Sequence, residues 1–352
     1  MMQPLMTNMT SSGNLTLSIV IPVHNGGESF RHCLDSLECF AAAAEITIVV
    51  DGGTDTSEEL AQAFSQTARA QVLKVPQAGG PAKARNLGAQ ASHGDILFFM
   101  DADVTLAPDT LEQVLAAFDR QPQIAALIGS YDDAPGASNF LSQYKNLFHH
   151  YTHQQGSEEA STFWGACGAV RREVFLAVGG FDEAYRYPSI EDIELGYRLK
   201  RAGHSIHLCK QVQVKHLKRW EAFNLLRAEI FYRALPWTEL LWRDRQFVND
   251  LNLGTSSRLS ILLVYSLLLA LVGSFWWLGA LGIAGIISLT LLMLNLPVYQ
   301  FFLKQRGLVF TLKVVPWHWF YYCYGGFAFA IGTLRYHLFS KRNVPKTQLS
   351  QA

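Results

Sequence analysis

The sequence lacks an excess of charge of either sign, since its 352 residues carry 29 Lys and Arg against 29 Asp and Glu. A balanced chain has no long-range attraction for nucleic acid, so we expect no nucleic-acid partner. It also lacks cysteines at the spacing of metal ligands, and its five cysteines are odd in number. This usage argues against a disulfide-stapled secreted domain and is typical of a reducing compartment.

Charge is also missing from one long stretch, because residues 259–303 contain no Asp, Glu, Lys, Arg or His. These 45 residues are too many for one membrane span of about 20 and enough for two. We predict a transmembrane region over 259–334 with spans 259–275 and 276–302. A third apolar segment, 314–334, either crosses the membrane or bends back.

The flanks of this region set its predicted orientation. Residues 1–14 are polar, without the basic-then-apolar pattern of a secretory signal, and are predicted to be disordered. Cations at Arg258, Lys304 and Arg306 favour a multi-pass protein of the cell membrane whose soluble domain is cytoplasmic. Residues 335–352 form a basic tail on this interpretation.

Residues 220–250 are predicted to form an amphipathic, tryptophan-bearing helix region. Phe223, Leu226 and Ile230 share one face of the predicted helix, and Trp237 and Trp242 follow. A helix of this composition beside a span is suited to the membrane interface. The alternative is a helix that packs on the soluble domain.

The soluble part, residues 15–219, alternates β-branched apolar runs with helical stretches. Alternation of this length implies a parallel sheet covered on both faces, which is a Rossmann-like α/β domain. The predicted strands are 15–23, 46–50, 72–75 and 96–100, and the predicted helices are 30–44, 57–70 and 81–91. Ligands of such sheets bind at the carboxyl ends of the strands. The residues at those ends are His24, Asn25, Asp51, Asp101 and Asp103.

Asp101 and Asp103 stand one residue apart at the end of a strand. Alternate residues of an extended segment point to the same side, so both carboxylates can face one point. Mg²⁺ and Mn²⁺ typically take one or two protein carboxylates and complete their coordination with phosphate oxygens and water. The pair therefore indicates a metal–diphosphate site, and the alternative is an Asp-rich turn that caps a helix starting near Pro108.

Six segments occur in the order seen in family 2 glycosyltransferases, which the chain resembles over about residues 15–220. They are 19–25, 50–55, 80–86, 101–103, 179–182 and 191–192. The resemblance implies a GT-A fold, a nucleoside-diphosphate-sugar donor, Mn²⁺ or Mg²⁺, and inversion at the anomeric carbon. Residues 50–53 read Val-Asp-Gly-Gly where the family usually has Asp-Asp-Gly-Ser, and His24 replaces a common Tyr. The choice between uridine and guanosine donors stays open.

The resemblance assigns donor binding to residues of these segments. They are Pro22, His24, Asn25, Asp51, Lys83, Arg85, Asp101 and Trp164. Arg85 is the preferred phosphate ligand, since Lys83 fits a solvated surface position equally well. His24 either stacks on the base or is a hydrogen-bonded loop histidine. Trp164 either stacks on a sugar ring or packs in the core.

The acidic pair Glu191 and Asp192 begins a predicted helix. Inverting transfer needs a base that takes the proton of the acceptor hydroxyl, and the family motif places this base at Asp192 with Glu191 as its substitute. A helix cap explains one acid here but explains the pair less well. His216 matches a histidine that completes the metal site, with Asp101 and Asp103, in several family members. A structural histidine is the alternative.

The sequence therefore predicts a membrane-anchored glycosyltransferase that acts on a lipid or lipid-linked glycan. The alternatives are a soluble or polysaccharide acceptor, with the helices as a simple anchor, and a non-catalytic membrane scaffold. A scaffold would be expected to have lost Asp101, Asp103 or Asp192, and all three are present. A nucleotidyltransferase would carry a Gly-rich basic loop directly after the first strand, which residues 21–26 lack.

Overall fold

The structure is a computed structural model that describes residues 15–245 and 254–339. The predicted disordered segment 1–14 and the greater part of the predicted basic tail lie outside the described residues.

One mixed sheet forms the centre of the domain. Its strands are β1 (Leu17–Val23), β2 (Glu45–Asp51), β3 (Ala70–Val75), β4 (Ile96–Met100), β5 (Val104–Leu106), β6 (Ala126–Tyr131), β7 (Glu159–Ala160), β8 (Cys167–Arg171) and β9 (Ile206–His216). Their order is β3-β2-β1-β4-β8-β6-β9-β5, and β7 pairs with β9. The first four strands are mutually parallel, as predicted.

Helices cover both faces of the sheet and continue beyond it. They are α1 (Gly27–Leu37), α2 (Ser57–Thr67), α3 (Pro81–Ala91), α4 (Thr110–Arg120), α5 (Phe140–Gln155), α6 (Arg172–Ala177), α7 (Glu191–Arg201), α8 (Ala222–Arg227), α9 (Leu235–Asp244), α10 (Thr255–Gly273), α11 (Ala280–Leu294) and α12 (Leu296–Leu338). A 3₁₀-helix, Glu38–Phe40, follows α1, and a π-helix, Ala228–Ala234, joins α8 to α9.

The apolar strand runs reflect burial on both faces of the sheet. Ile19, Val20 and Ile21 are consecutive in β1, and each is fully buried. Ile19 and Ile21 belong to one hydrophobic cluster and Val20 to a second cluster on the opposite face. A strand covered on both sides reads as a continuous apolar run, which is why the sequence located β1 to β4.

The structure differs from the sequence prediction at three places. The sequence pattern predicts two short strands around Ile206 and Val214, and the structure has one strand there, β9, whose pairing with β6 shifts register between Ile128 and Ser130. The helix predicted over 30–44 ends at Leu37 and continues as the 3₁₀-helix. Helix α5 was not predicted, because its buried side includes polar residues that hide the helical period.

The apolar C-terminal region forms α10, α11 and α12. Helix α10 is long and apolar enough to cross a membrane. Helices α11 and α12 meet the same criteria only together, as a pair bent by 63°. The predicted turn lies between α10 and α11, where Phe275 and Trp276 are largely exposed. The predicted span 276–302 is not one helix, because α11 ends at Leu294 and α12 then changes direction.

Helix α12 packs on the α/β domain through α5. Phe302 is fully buried in a cluster with Tyr144 and Leu147 of α5. The Tyr144 hydroxyl lies 2.7 Å from His318 Nδ1, and Arg306 Nε donates to Gln143 Oε1 at 2.8 Å. The C-terminal helices are therefore in contact with the domain rather than joined to it by the chain alone.

The predicted interfacial region, 220–250, shows features of both interpretations over its described part. Phe223 of α8 is 74% exposed and Phe231 of the π-helix is 60% exposed. Helix α9 instead packs on the domain, since Leu240 and Leu241 are buried with Tyr197. The described part of this region thus exposes apolar side chains in α8 and the π-helix and packs on the α/β domain through α9.

Candidate active site

A buried guanidinium lies at the centre of the site. Arg85 NH2 donates to Asp101 Oδ1 at 2.6 Å, and Arg85 NH1 donates to Glu191 Oε1 at 2.8 Å. The side chain is 5% exposed, and the two carboxylates hold the pKa of Arg85 above its usual range despite burial. The predicted contact of Arg85 with a donor phosphate stays a prediction. In the structure its two terminal nitrogens bind carboxylates, so it fixes the end of β4 relative to the start of α7.

The two acids at the start of α7 differ in their surroundings. Glu191 is buried, and its second oxygen accepts a hydrogen bond from the Ser189 N–H at 2.9 Å. Asp192 is half-buried and accepts only backbone hydrogen bonds, from Gly165 at 3.0 Å and Ile193 at 2.8 Å. Since Glu191 is bound to the guanidinium, Asp192 is the acid that can receive a proton, and Glu191 is poorly placed to replace it.

The electrostatic setting of Asp192 suits a base. Burial raises the pKa of its carboxyl, and the neighbouring Glu191 raises it further, to about 6, against the effects of the Gly165 N–H and Arg85. A general base is most effective when its pKa lies near the working pH. Asp192 is therefore ionised at neutral pH and more basic than a free aspartate.

Gly165 links the guanidinium to this carboxylate. A Cβ at residue 165 would lie 3.0 Å from Arg85 Cζ, so a larger residue would require the guanidinium to shift. The Gly165 N–H donates to Asp192. The residue that follows Trp164 thereby orients the candidate base.

Two of the predicted metal ligands, Asp103 and His216, face each other at the other end of the site. His216 Nδ1 lies 2.6 Å from Asn146 Oδ1, a contact that orients the ring. Nε2 lies 3.5 Å from Asp103 Oδ2, and Lys218 Nζ lies 3.9 Å from the same oxygen. A carboxylate oxygen and an imidazole nitrogen are both ligands that divalent metals take, so Asp103 and His216 fit such a metal.

Nothing in the described residues forms a metal site from protein ligands alone, since no three His, Cys, Asp or Glu side chains are grouped to hold an ion. The predicted ligand set Asp101, Asp103 and His216 therefore stays a prediction. Asp101 keeps one oxygen free of the Arg85 hydrogen bond and is 35% exposed.

The predicted donor residues lie at the carboxyl ends of β1 and β2. Pro22 is in β1, and Asn25 Oδ1 accepts a hydrogen bond from the Thr54 N–H at 2.8 Å. Asp51 accepts hydrogen bonds from the N–H groups of Gly79 and Gly80, both at 2.8 Å, and is 4% exposed. Its visible role is therefore to hold the loop before α3, and its predicted contact with a base stays a prediction.

The structure places His24, Lys83 and Trp164, whose roles the sequence left open, in different surroundings. His24 is exposed, and its Nδ1 hydrogen-bonds the Asp51 carbonyl at 2.8 Å. Lys83 is exposed at the first turn of α3. Trp164 packs against Tyr131, with ring centroids 4.8 Å apart, and against His149 at 4.6 Å. Trp164 is half-buried beside the site, so its ring packs against these neighbours and keeps a surface exposed.

Sequence reasoning missed several residues of this site. Tyr131 ends β6 and stacks on His216, with ring centroids 4.4 Å apart and planes within 6°. Asn146 of α5 orients the same histidine. Tyr131 could have been found, since it is a polar residue at a strand end. Asn146 could not, because nothing in the chain links it to a residue seventy positions later.

Comparison with known proteins relates part of the domain to a known family. Residues 18–179 match the model of glycosyl transferase family 2. The pre-mycofactocin glycosyltransferase of Mycobacterium tuberculosis is 30% identical over 224 residues, which cover 61% of this chain and 46% of that protein. The chain thus spans about half the length of this relative. The validoxylamine A glucosyltransferase of Streptomyces hygroscopicus is 25% identical over 267 residues, 64% of this chain and 63% of that protein.

A solved structure shares the fold. The mannosyltransferase PcManGT from Pyrobaculum calidifontis, in complex with GDP-Man and Mn²⁺, aligns with a TM-score of 0.56 at 14% identity. The alignment covers 93% of this chain and 88% of that one. It confirms the predicted GT-A-like α/β domain, and its extent shows that the C-terminal helices belong to the shared fold.

We expect Asp192→Asn to lower kcat by at least about 10²-fold, the range for lost general-base catalysis, and to leave donor affinity nearly unchanged. The ionised carboxylate is the active form, so wild-type kcat should rise as pH increases through about 6. Initial rates of sugar transfer between pH 4.5 and 8.5 measure both effects.

The control is Asp109→Asn, because Asp109 is exposed and its side chain contacts only Gln113 in the described structure. This variant should retain the wild-type profile. An Asp192→Asn enzyme within a few fold of wild type, or one that keeps the inflection near pH 6, would move the base to another residue.

Proposed function

We propose that this chain, whose residues 18–179 form a glycosyltransferase family 2 domain, transfers a sugar from a nucleoside-diphosphate sugar to a lipid or lipid-linked glycan. The proposal includes inversion at the anomeric carbon and a site on the cytoplasmic face of the cell membrane. The observation that carries it is the chain of contacts Asp101–Arg85–Glu191, which fixes the candidate base beside the candidate metal ligands.

The proposed reaction is a single displacement. The acceptor hydroxyl oxygen forms a bond to the anomeric carbon, and the bond from that carbon to the diphosphate breaks. The electron pair leaves with the nucleoside diphosphate, and the hydroxyl proton moves to Asp192. Because the base and the leaving group lie on opposite sides of the carbon, the configuration inverts.

The residues at the ends of β4 and β9 fit a divalent cation, Mn²⁺ or Mg²⁺. Asp101, Asp103 and His216 would hold it, and Asn146 and Tyr131 orient the histidine. When bound, such a cation neutralises charge on the departing diphosphate. The fold-related mannosyltransferase in complex with GDP-Man and Mn²⁺ supports both the metal and the nucleotide-sugar donor.

Three features support a membrane location. Helix α10 has the length and composition of a span. The exposed Phe223 and Phe231 give the adjoining region an apolar face suited to the membrane interface. Arg306 binds the domain through the Asp133 carbonyl at 2.9 Å, which supports placing that end of α12 on the side of the catalytic domain.

The metal proposal predicts that Asp103→Asn abolishes turnover and metal-dependent donor binding while the protein stays folded. The amide keeps the shape of the side chain but removes the charge that a hard cation requires. The measurement is hydrolysis of UDP-, GDP- and dTDP-sugars with Mn²⁺ and with chelator. Full activity of wild type in chelator would contradict the proposal, and Asp109→Asn serves as the matched control.

The membrane proposal predicts that the full chain stays in the membrane pellet after alkaline carbonate extraction. Leu269 of α10 is 73% exposed, and Leu269→Arg should increase the released fraction, because arginine within a span is costly. Leu176→Arg, at a 41% exposed leucine of the α/β domain, should extract like wild type. Complete release of the wild-type chain would exclude a spanning α10.

A further inference from the structure

A cavity lies between the segment 228–244 and the C-terminal helices α10 and α12. Its volume is about 450 Å³, within the range of pockets that hold small organic ligands. The π-helix and α9 form one wall, and α10 and α12 form the other. Most of the lining is apolar or aromatic and includes Trp237, Leu241, Ile261, Leu262, Tyr324 and Phe329.

One end of this cavity is polar. Glu229 and Arg233 of the π-helix line it, and Arg233 NH1 lies 3.6 Å from Glu229 Oε1. Lys145 Nζ lies 2.7 Å from the same oxygen, and both Lys145 and Glu229 are largely buried. Two cations thus share one carboxylate. Among the described charged residues that line the cavity itself, Arg233 and Arg258 are cations and Glu229 is an anion, so the lining carries a net positive charge that an anion would balance.

The polar end faces the catalytic site. Ser189 Oγ donates to the Tyr232 carbonyl of the π-helix at 2.7 Å, and the Ser189 N–H donates to Glu191 at 2.9 Å, so the π-helix is tied to the start of α7, where Asp192 lies. π-Helical segments are rare and are frequent at functional sites. A ligand bound at Arg233 would therefore have its anionic group near the reacting centre and its remainder among the apolar helices.

Helix α10, which has the composition of a membrane span, also lines the cavity, through Ser257, Arg258, Ile261 and Leu262. Two neighbouring glycines of α12 differ in the space beside them. A Cβ on Gly326 would lie 2.7 Å from Ile261 of α10, so this glycine permits close helix packing. A Cβ on Gly325 would meet no atom within 4 Å, and Gly325 lines the cavity.

We propose that this cavity is the acceptor site and that it binds a phosphate-bearing lipid, with the phosphate at Arg233 and the apolar chain between α9, α10 and α12. The inference rests on the proposed function, because it supplies the acceptor for that reaction. Charge complementarity selects the anion, and the apolar lining beside α10 selects a lipid rather than a soluble sugar phosphate.

The test measures equilibrium binding of radiolabelled farnesyl phosphate to the purified full chain in detergent, with farnesol and inorganic phosphate as competitors. Farnesyl phosphate should bind at least about tenfold more tightly than farnesol, the gain expected from a charge-assisted contact. Inorganic phosphate at the same concentration should not displace it. Arg233→Gln should remove the preference for the phosphorylated chain.

Gly325→Leu should weaken binding of both farnesyl phosphate and farnesol, because the new side chain enters the space of the apolar chain. Gly285→Leu is the matched control, since a Cβ at Gly285 of α11 also meets no atom within 4 Å but does not line the cavity. Unchanged farnesyl phosphate binding by Gly325→Leu would overturn the proposal. Equal displacement by inorganic phosphate would overturn it as well, since it would show an anion site without a lipid site.

Wild-type turnover of the nucleotide sugars is measured in parallel, so the two proposals can fail separately. If the wild type turns over nucleotide sugars while Gly325→Leu and Arg233→Gln both bind farnesyl phosphate as the wild type does, that combination contradicts only the assignment of the cavity. Absence of turnover with every donor, while farnesyl phosphate binds as described, contradicts the transferase function and leaves a lipid-phosphate site.

Discussion

The ion pairs of Arg85 are the constraint on which the site depends. A buried guanidinium costs desolvation energy and is stable only when its partners stay in place, and loss of one partner of such a pair costs about 3–5 kcal/mol. Asp101 at the end of β4 and Glu191 at the start of α7 are held to it at 2.6 Å and 2.8 Å. The candidate metal ligands and the candidate base, which follow these two residues in the chain, therefore have a fixed separation.

The C-terminal helices extend this constraint beyond the sheet. Contacts of Tyr144 with His318 and of Gln143 with Arg306 fix α12 against α5, and α5 also carries Asn146, which orients His216. Helix α12 in turn forms a wall of the cavity that ends at Arg233. The helices thus have a structural part in the site, and an anchor alone would not need these buried contacts.

Some of this architecture could be predicted from the sequence. Strands buried on both faces appear in the sequence as apolar runs. Asp51, Asp101 and Asp103 could be identified as site residues because each lies at or just after the end of such a run. The partners of Arg85 could not be predicted, because a cation near the start of a helix indicates phosphate as readily as carboxylate. Helix α5 was also hidden: it packs between the sheet and α12, so polar residues such as Ser142 and Asn146 are buried where apolar ones are expected. Contacts between distant segments carry no local signal.

The central claim is that a fixed base drives a single displacement, and the configuration of the product tests it most directly. The measurement is the ¹H NMR coupling of the anomeric proton in the first product formed from UDP-, GDP- or dTDP-sugars with Mn²⁺, before mutarotation. The account predicts a β-configured product from an α-linked donor. A product that retains the α configuration would require a covalent intermediate or a front-face reaction, and it would contradict the role given to Asp192.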